Sequence, residues 1–403
     1  MPGPAPPRPF RRKRSRGPPP PPPASGAAAA GAMATRRRGR AEAMEEPARC
    51  QLCGARGRLR CRRCRRCRRT YYCDEDHQQA DWVGIHELIC QLLIPTTVSL
   101  PAPPSEKERQ HHTEQLLQRQ KLILGLAQSR AQQLVLEGKP KEALPAALCA
   151  LRFSARVHGS DPVQLVPAYL TLAEISRESG DLQQAFRYLC QSQWVVLSTP
   201  GCSVALQALL HHHLGLFCAA KGSFEQALYH LSHEVYLTCS TLGPRCVEAS
   251  GGYFHMAKVY LHQNKLEVAD SLCAKVTSLW HGFLVRSLQA QQRNVKSPPE
   301  MSLLSPAEGA QGAPLTAAQA AEGLRLLPAV LGLRAQDPMR RPEETARTLQ
   351  ALAMLHYLAG DFPKAQEVGM KALELVAQLH LHQSGEAIQR LLELIPSKPS
   401  CAE

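Results

Sequence analysis

Between residues 50 and 90 the chain carries cysteine and histidine at intervals that leave few folds open: C50-QL-C53, then C61-RR-C64-RR-C67, then YY-C73-DED-H77, then DW-VGI-H86-ELI-C90. A Cys-x-x-Cys step lets two sulfurs reach one metal ion without strain, and zinc takes four thiolate or imidazole ligands in a tetrahedron. Cys50/Cys53 and Cys64/Cys67 have that step. Cys73/His77 and His86/Cys90 stand four apart, and positions i and i+4 share one face of a helical turn. Four ligand pairs make two closed sites. A segment of about 40 residues with few large apolar side chains cannot hold a fold by burial alone, so metal binding has to supply its folding free energy.

The order Cys-x2-Cys, Cys-x2-Cys, x5-Cys-x3-(Cys or His), a Trp and a closing His-x3-Cys, with YYC at the fifth ligand, resembles a MYND zinc finger. In MYND fingers the pairs interleave. The resemblance therefore implies one zinc ion on Cys50, Cys53, Cys73 and His77, and a second on Cys64, Cys67, His86 and Cys90. The chain departs from the family in two places. His77 stands where most of these fingers have cysteine, and eight residues rather than the usual seven separate it from His86. Histidine is a good zinc ligand, so the site is expected to survive. The duplicated RRC also offers Cys61/Cys64 as the second pair. Cys64/Cys67 is preferred because the five residues to Cys73 match the family, and a longer loop after the first pair adds little closure entropy. Gln78 and Trp82 match positions that in related MYND fingers line a groove for short proline-containing peptides; the plainer alternative is a scaffolding knuckle with Trp82 as its core.

Neither zinc ion would keep a position for water, so catalytic zinc is not expected. No βαβ pattern surrounds either Cys-x-x-Cys, which disfavours a thiol-disulfide enzyme. The chain has no Gly-x-Ser-x-Gly, phosphate loop, kinase set or His-Glu-x-x-His. Some MYND proteins are SET-domain methyltransferases, but the 49 residues ahead of Cys50 and the helical pattern after it leave no room for that domain. The expectation is a protein that is not an enzyme.

From about Ser105 the pattern is helical, and it repeats. A Gly or Asn five residues before an Ala recurs at Gly138/Ala143, Gly180/Ala185, Gly222/Ala227 and Asn264/Ala269, 42 residues apart each time, and again at Gly360/Ala365 after a gap of 96. Small residues at Ala173, Gly215, Ala257 and Ala353, each seven before its anchor, allow paired helices to approach closely. The pattern resembles the tetratricopeptide repeat in a 42-residue version of the kind kinesin light chains carry. The expected organisation is an unstructured tail over 1–48, the finger over 49–92, repeats over 105–280, a degenerate repeat with a flexible loop over 281–346, and a last repeat with a capping helix over 347–396. The fold class is mainly α: a two-zinc finger followed by an α-solenoid.

Charge supports that division. The formal net charge is +14, but residues 1–70 hold 20 Lys or Arg against 3 Asp or Glu, which leaves the remainder slightly acidic. The arginines of the finger interleave with metal ligands rather than with stacking aromatics, so nucleic acid is not the expected partner. The cluster Arg11–Arg16 offers a nuclear-localisation signal, and Met33 or Met44 a later start that would remove it. No apolar run approaches the roughly 18–20 residues of a membrane span, and the N-terminus has arginine and proline where a secretory signal has an apolar core. An intracellular setting follows, in which clustered cysteines bind metal rather than pair as disulfides. Histidines 211, 212, 213, 230, 233, 255 and 262 fall on repeat helices, where neighbouring side chains point to different faces, and are read as ordinary helix positions rather than as a metal site.

From about Cys50 the chain also resembles MYND proteins that carry tetratricopeptide repeats, in YYC, HQQADW, ICQLLIP and GGYF. That resemblance implies a cytoplasmic, ciliary or sperm-flagellar adaptor whose partners are axonemal components, other repeat proteins and proline-containing peptides. A nuclear co-regulator recruiting co-repressors through the finger is the alternative.

Overall fold

The computed structural model describes residues 49–55, 62–94, 105–159, 161–296, 315–335, 341–380 and 382–395. The basic tail with Arg11–Arg16, Cys61, Cys401 and the loop segment 297–314 lie outside the described residues.

The finger opens on a two-stranded antiparallel ribbon, β1 (Arg62–Arg63) and β2 (Tyr71–Tyr72), with Cys50 bridged to Tyr71 on its other side. Helix α1 (Glu75–Asp81) follows, then a π turn (Trp82–His86), then α2 (Glu87–Leu93). Asp74 caps α1, its Oδ1 accepting from the His77 amide at 2.7 Å.

The remaining described residues are mostly helical hairpins. Five pairs pack side by side: α3 (Glu106–Leu136) with α4 (Pro140–His158), α5 (Val166–Glu178) with α6 (Leu182–Ser198), α7 (Val204–Ala220) with α8 (Phe224–Leu242), α9 (Ser250–His262) with α10 (Leu266–Lys296), and α12 (Pro342–Leu358) with α13 (Phe362–Gln378). Helix α11 (Ala317–Ala335) packs on α12 and along α10, which themselves are in direct contact, and α14 (His382–Leu394) packs on α13. Helix α10 runs into the Gln-rich stretch as far as Lys296, because no Gly or Pro stands between Gly282 and Pro298 to stop it. No described helix is long and apolar enough to cross a membrane.

All five hairpins turn the same way. Gly138, Gly180, Gly222, Asn264 and Gly360 take φ of 71°, 83°, 81°, 58° and 81°. At each, two amides reach back to close the helix end: Gly222 N to Ala219 O at 3.0 Å and Ser223 N to Cys218 O at 2.9 Å, or Asn264 N to Leu261 O at 2.9 Å and Lys265 N to Tyr260 O at 2.9 Å. That double bond satisfies carbonyls the helix would otherwise orphan, and it needs a left-handed residue, for which Gly and Asn are suited. The next helix then begins at once, and its alanine (Ala143, Ala185, Ala227, Ala269, Ala365) is fully buried against the helix before it. Gly215 shows why the facing position is small: a Cβ there would sit 2.7 Å from Leu231 Cγ. Ala131, seven before Gly138 and also buried, extends the rule to the first hairpin.

Finger and first hairpin share one core. Tyr72, Ile85 and Ile89 pack in the same cluster as Ile123 and Ala127 of α3 and Ala143, Ala146 and Ala147 of α4. Gly84 sets the distance of approach, since a Cβ on it would lie 2.9 Å from Glu142 O and 3.0 Å from Pro145. The Gln51 carbonyl accepts from Arg152 of α4. The described residues between 49 and 395 belong to one compact unit.

Candidate metal centre

Two tight turns present the pairs Cys50/Cys53 and Cys64/Cys67. Gly54 follows Cys50-x-x-Cys53 with φ 68°, and Arg68 follows Cys64-x-x-Cys67 with φ 55°. Each left-handed residue folds the backbone so that an amide returns to the first cysteine of its pair: Gly54 N to Cys50 O at 3.0 Å, Arg68 N to Cys64 O at 3.1 Å. At Arg68 the conformation costs about 1–2 kcal/mol for a residue with a Cβ, so something beyond local preference holds the turn. A metal ion bound to both sulfurs would do so.

The eight donors expected from the sequence fall into two groups, Cys50, Cys53, Cys73 and His77 in one and Cys64, Cys67, His86 and Cys90 in the other, with the ligand atoms of each group all within 4.8 Å of one another. Cys53 Sγ lies 3.7 Å from Cys73 Sγ, and Cys67 Sγ lies 3.6 Å from His86 Nε2. A tetrahedral zinc ion with Zn–S of about 2.3 Å has ligand-to-ligand edges of about 3.8 Å, so the spacing fits the ion. In the first group Cys50 Sγ is 3.5 Å from His77 Nδ1, and Cys73 Sγ is closer at 2.9 Å. The histidines differ in which nitrogen they offer, His77 through Nδ1 and His86 through Nε2.

Electrostatics argues for a cation in the same places. Burial, then the charges of Cys67 and Cys64, push the Cys90 thiol up to about 12. Burial also works against Cys50, but amides of Cys53 and Cys73 outweigh it and hold that thiol down to about 6. Three thiolates in one small space repel one another; a divalent cation reverses the sign of that interaction and deprotonates them outright. Both groups are Cys3His sets of the borderline-soft kind zinc prefers, and they fit two zinc ions.

Residues 50–90 match the family model of the MYND finger. The interleaved ligand order of MYND fingers is thus reproduced here with Cys67 inside the second group. The extra residue between His77 and His86 is absorbed by the π turn: Glu87 N bonds back to Trp82 O five residues earlier, so one more residue fits in a turn and His86 still faces its cysteines. The MYND finger is a protein-interaction domain. Among solved structures, the chain is similar to the crystal structure of BtubC (BKLC) from P. vanneervenii at 14% identity, over 58% of this chain and 90% of that one, with a TM-score of 0.31, a likeness too slight to carry an argument.

The two sites differ in access. Every ligand of the Cys64/Cys67/His86/Cys90 site is buried, whereas Cys53 is exposed and Cys73 and His77 are half-buried. The buried site also has an outer layer that sequence reading missed. Asp81 and His86 are both buried, and an Asp81 oxygen stands 3.6 Å from His86 Nδ1, longer than a hydrogen bond but placed to accept from that nitrogen when Nε2, which faces Cys67, takes a metal. The signal was present in HQQADW, where the acid next to the tryptophan is the finger's one fully buried carboxylate among the described residues. Trp82 is half-buried, 5.7 Å from the His86 ring, with the Arg66 guanidinium 5.4 Å from its own ring centre. Gln78 lies half-buried one turn earlier.

Proposed function

We propose that the chain is a zinc-dependent adaptor that holds two protein partners, one on the finger and one on the helical hairpins. The observation that carries this is the shared core of finger and first hairpin, with Tyr72 and Ile85 packed on Ile123 and Ala146. Two interaction surfaces joined by a flexible linker would present their partners at any angle; joined by a core, they hold them at one. Gln78 and Trp82 are the residues proposed to take a proline-containing peptide, since Trp82 keeps part of its ring open and carries a cation beside it.

The hairpins are proposed to be tetratricopeptide repeats, supported by the 42-residue interval and by identical turn chemistry at all five anchors. The resemblance of the segments YYC, HQQADW, ICQLLIP and GGYF to zinc finger MYND domain-containing protein 12 supports a place in axoneme or sperm-flagellum assembly, with axonemal and other repeat proteins as partners and the cytoplasm and cilium as location. The basic cluster Arg11–Arg16 supports the second reading, a nuclear co-regulator that recruits co-repressors.

Affinity capture from ciliated tissue with full chain and with Trp82→Ala tests the reading. Partners lost with Trp82→Ala at unchanged zinc content assign them to the finger; an unchanged partner set removes the finger from the interaction. Imaging the full chain beside one starting at Met44 separates the two locations, because nuclear signal lost on truncation favours the co-regulator.

A further inference from the structure

Three imidazoles meet away from the finger, on the hairpin of α7 and α8. His230 and His233 stand three residues apart on α8 and share a face, and His211 of α7 meets both. His211 Nδ1 is 3.0 Å from His230 Nδ1, with ring centres 5.2 Å apart. The His233 ring also packs on His211, with centres 4.4 Å apart and planes at 33°. All three rings are half-buried, and Tyr229 and Tyr236 flank them, 5.2 Å from His230 and 6.2 Å from His233.

Nothing else in the surroundings explains the cluster. Among the described residues no carboxylate or hydroxyl is hydrogen-bonded to any of the three rings, so His211 and His230 have only each other. Two neutral imidazoles in contact satisfy one nitrogen each as donor and acceptor, and a third ring stacked beside them adds nothing to that bond. Burial, then the charges of His233 and His230, hold His211 down at about 4, and burial lowers His230 in the same way. Both rings are therefore unprotonated near neutral pH, the form that binds metal.

The spacing suits an ion. Two imidazoles bound at about 2.0 Å from one ion place their nitrogens about 3.3 Å apart and their ring centres on the order of 5 Å apart. The His211–His230 pair already has that arrangement; His233, its ring 4.4 Å from that of His211 between centres, would complete the set only once its side chain turns towards the pair. We propose that His211, His230 and His233 form a third metal site, of three imidazoles, for a borderline divalent ion such as zinc, with the fourth position open to water or to a ligand from a partner. Imidazole donors suit zinc, copper and nickel, and thiolate is absent, which sets this site apart from the finger. Bound metal would tie α7 to α8 near the middle of both helices.

The test is metal content of the full chain equilibrated with Zn2+ and freed of excess by gel filtration. Three zinc ions per chain are expected for the wild type, two for His230→Gln/His233→Gln, and two for His211→Gln, with helix content by circular dichroism unchanged. Cys53→Ser, which removes a finger ligand, should leave the third ion in place. Should the double variant lose helicity, the single His211→Gln result decides. A wild-type content of two, or a third ion that survives both histidine variants and is thus adventitious only, overturns the proposal.

Discussion

Asp81 Oδ2 lies 3.6 Å from His86 Nδ1, and the Tyr72 hydroxyl donates to the same oxygen at 2.5 Å. Burial raises the Asp81 carboxyl above its ordinary range, against the pull of Tyr72 and His86, so a charge here would come at a cost. The cost makes sense if the carboxylate serves a ligand. Removing it with Asp81→Asn should weaken the buried zinc site about 10–100-fold, as outer-layer partners of metal-bound histidine generally do. Chelator competition on the full chain reads both sites; the Cys50/Cys53/Cys73/His77 site should keep its affinity, and equal loss at both would refute the assignment.

Gly84 is where finger and array come closest. Gly84→Ala places a methyl against the backbone oxygen of Glu142, which cannot move aside without shifting α4. Such overpacking costs about 1–3 kcal/mol. The expected result is a lower melting temperature together with faster proteolysis between finger and α3, while zinc content stays at the wild-type value. A variant as protease-resistant as the wild type would mean that the contact does not fix the finger.

Much of this was legible beforehand, for reasons that differ by element. The eight zinc ligands are local in sequence, because knuckle turns and one helical turn each demand a fixed interval, and the anchors Gly180 and Asn264 are visible because a left-handed turn tolerates few residue types. What could not be read is what depends on distant packing. Nothing in the interval between Cys73 and Cys90 says that Ile85 will bury itself on α3 and α4, or that a π turn will take up one residue. The histidines show the same limit. Adjacent His211 and His212 do face apart, as helix periodicity requires, but each meets partners from other helices: His230 and His233 for the one, Glu234 and His255 for the other.

The anchors rank residues by their tolerance of positive φ. Gly222 has φ 81° with open space around an added Cβ, so the effect of substitution there is backbone strain alone. Gly222→Ala should cost roughly 1–2 kcal/mol. Gly222→Asn should cost clearly less, because Asn264 already holds the equivalent turn at φ 58°. Chemical denaturation of the two variants supplies the comparison, and equal losses would show that packing rather than φ governs the turn.

Acid should destabilise the hairpins through histidines buried as neutral rings. Burial first, then the neighbouring His212, hold His213 and His255 well below the ordinary value of 6.5. Below pH 6.5 the unfolded chain therefore takes up protons that the folded chain refuses, so stability present above that pH is lost as pH falls towards the depressed folded values. His212 acts in the opposite sense. Its burial opposes charge, but Glu234 at 3.0 Å outweighs that and raises it, so its contribution is complete below 6.5 and fades as pH rises through the folded value. With His211, His230, His281 and His356 also lowered by burial, the depressed rings outnumber the one raised ring and leave a net loss in acid. Zinc release from the finger adds to it, which is why the readout is a difference: melting of wild type and His255→Gln at saturating zinc, pH 7.5 and pH 5. The variant has one fewer proton to refuse and should lose less stability on acidification; an identical loss in both would show that His255 is protonated in the folded state.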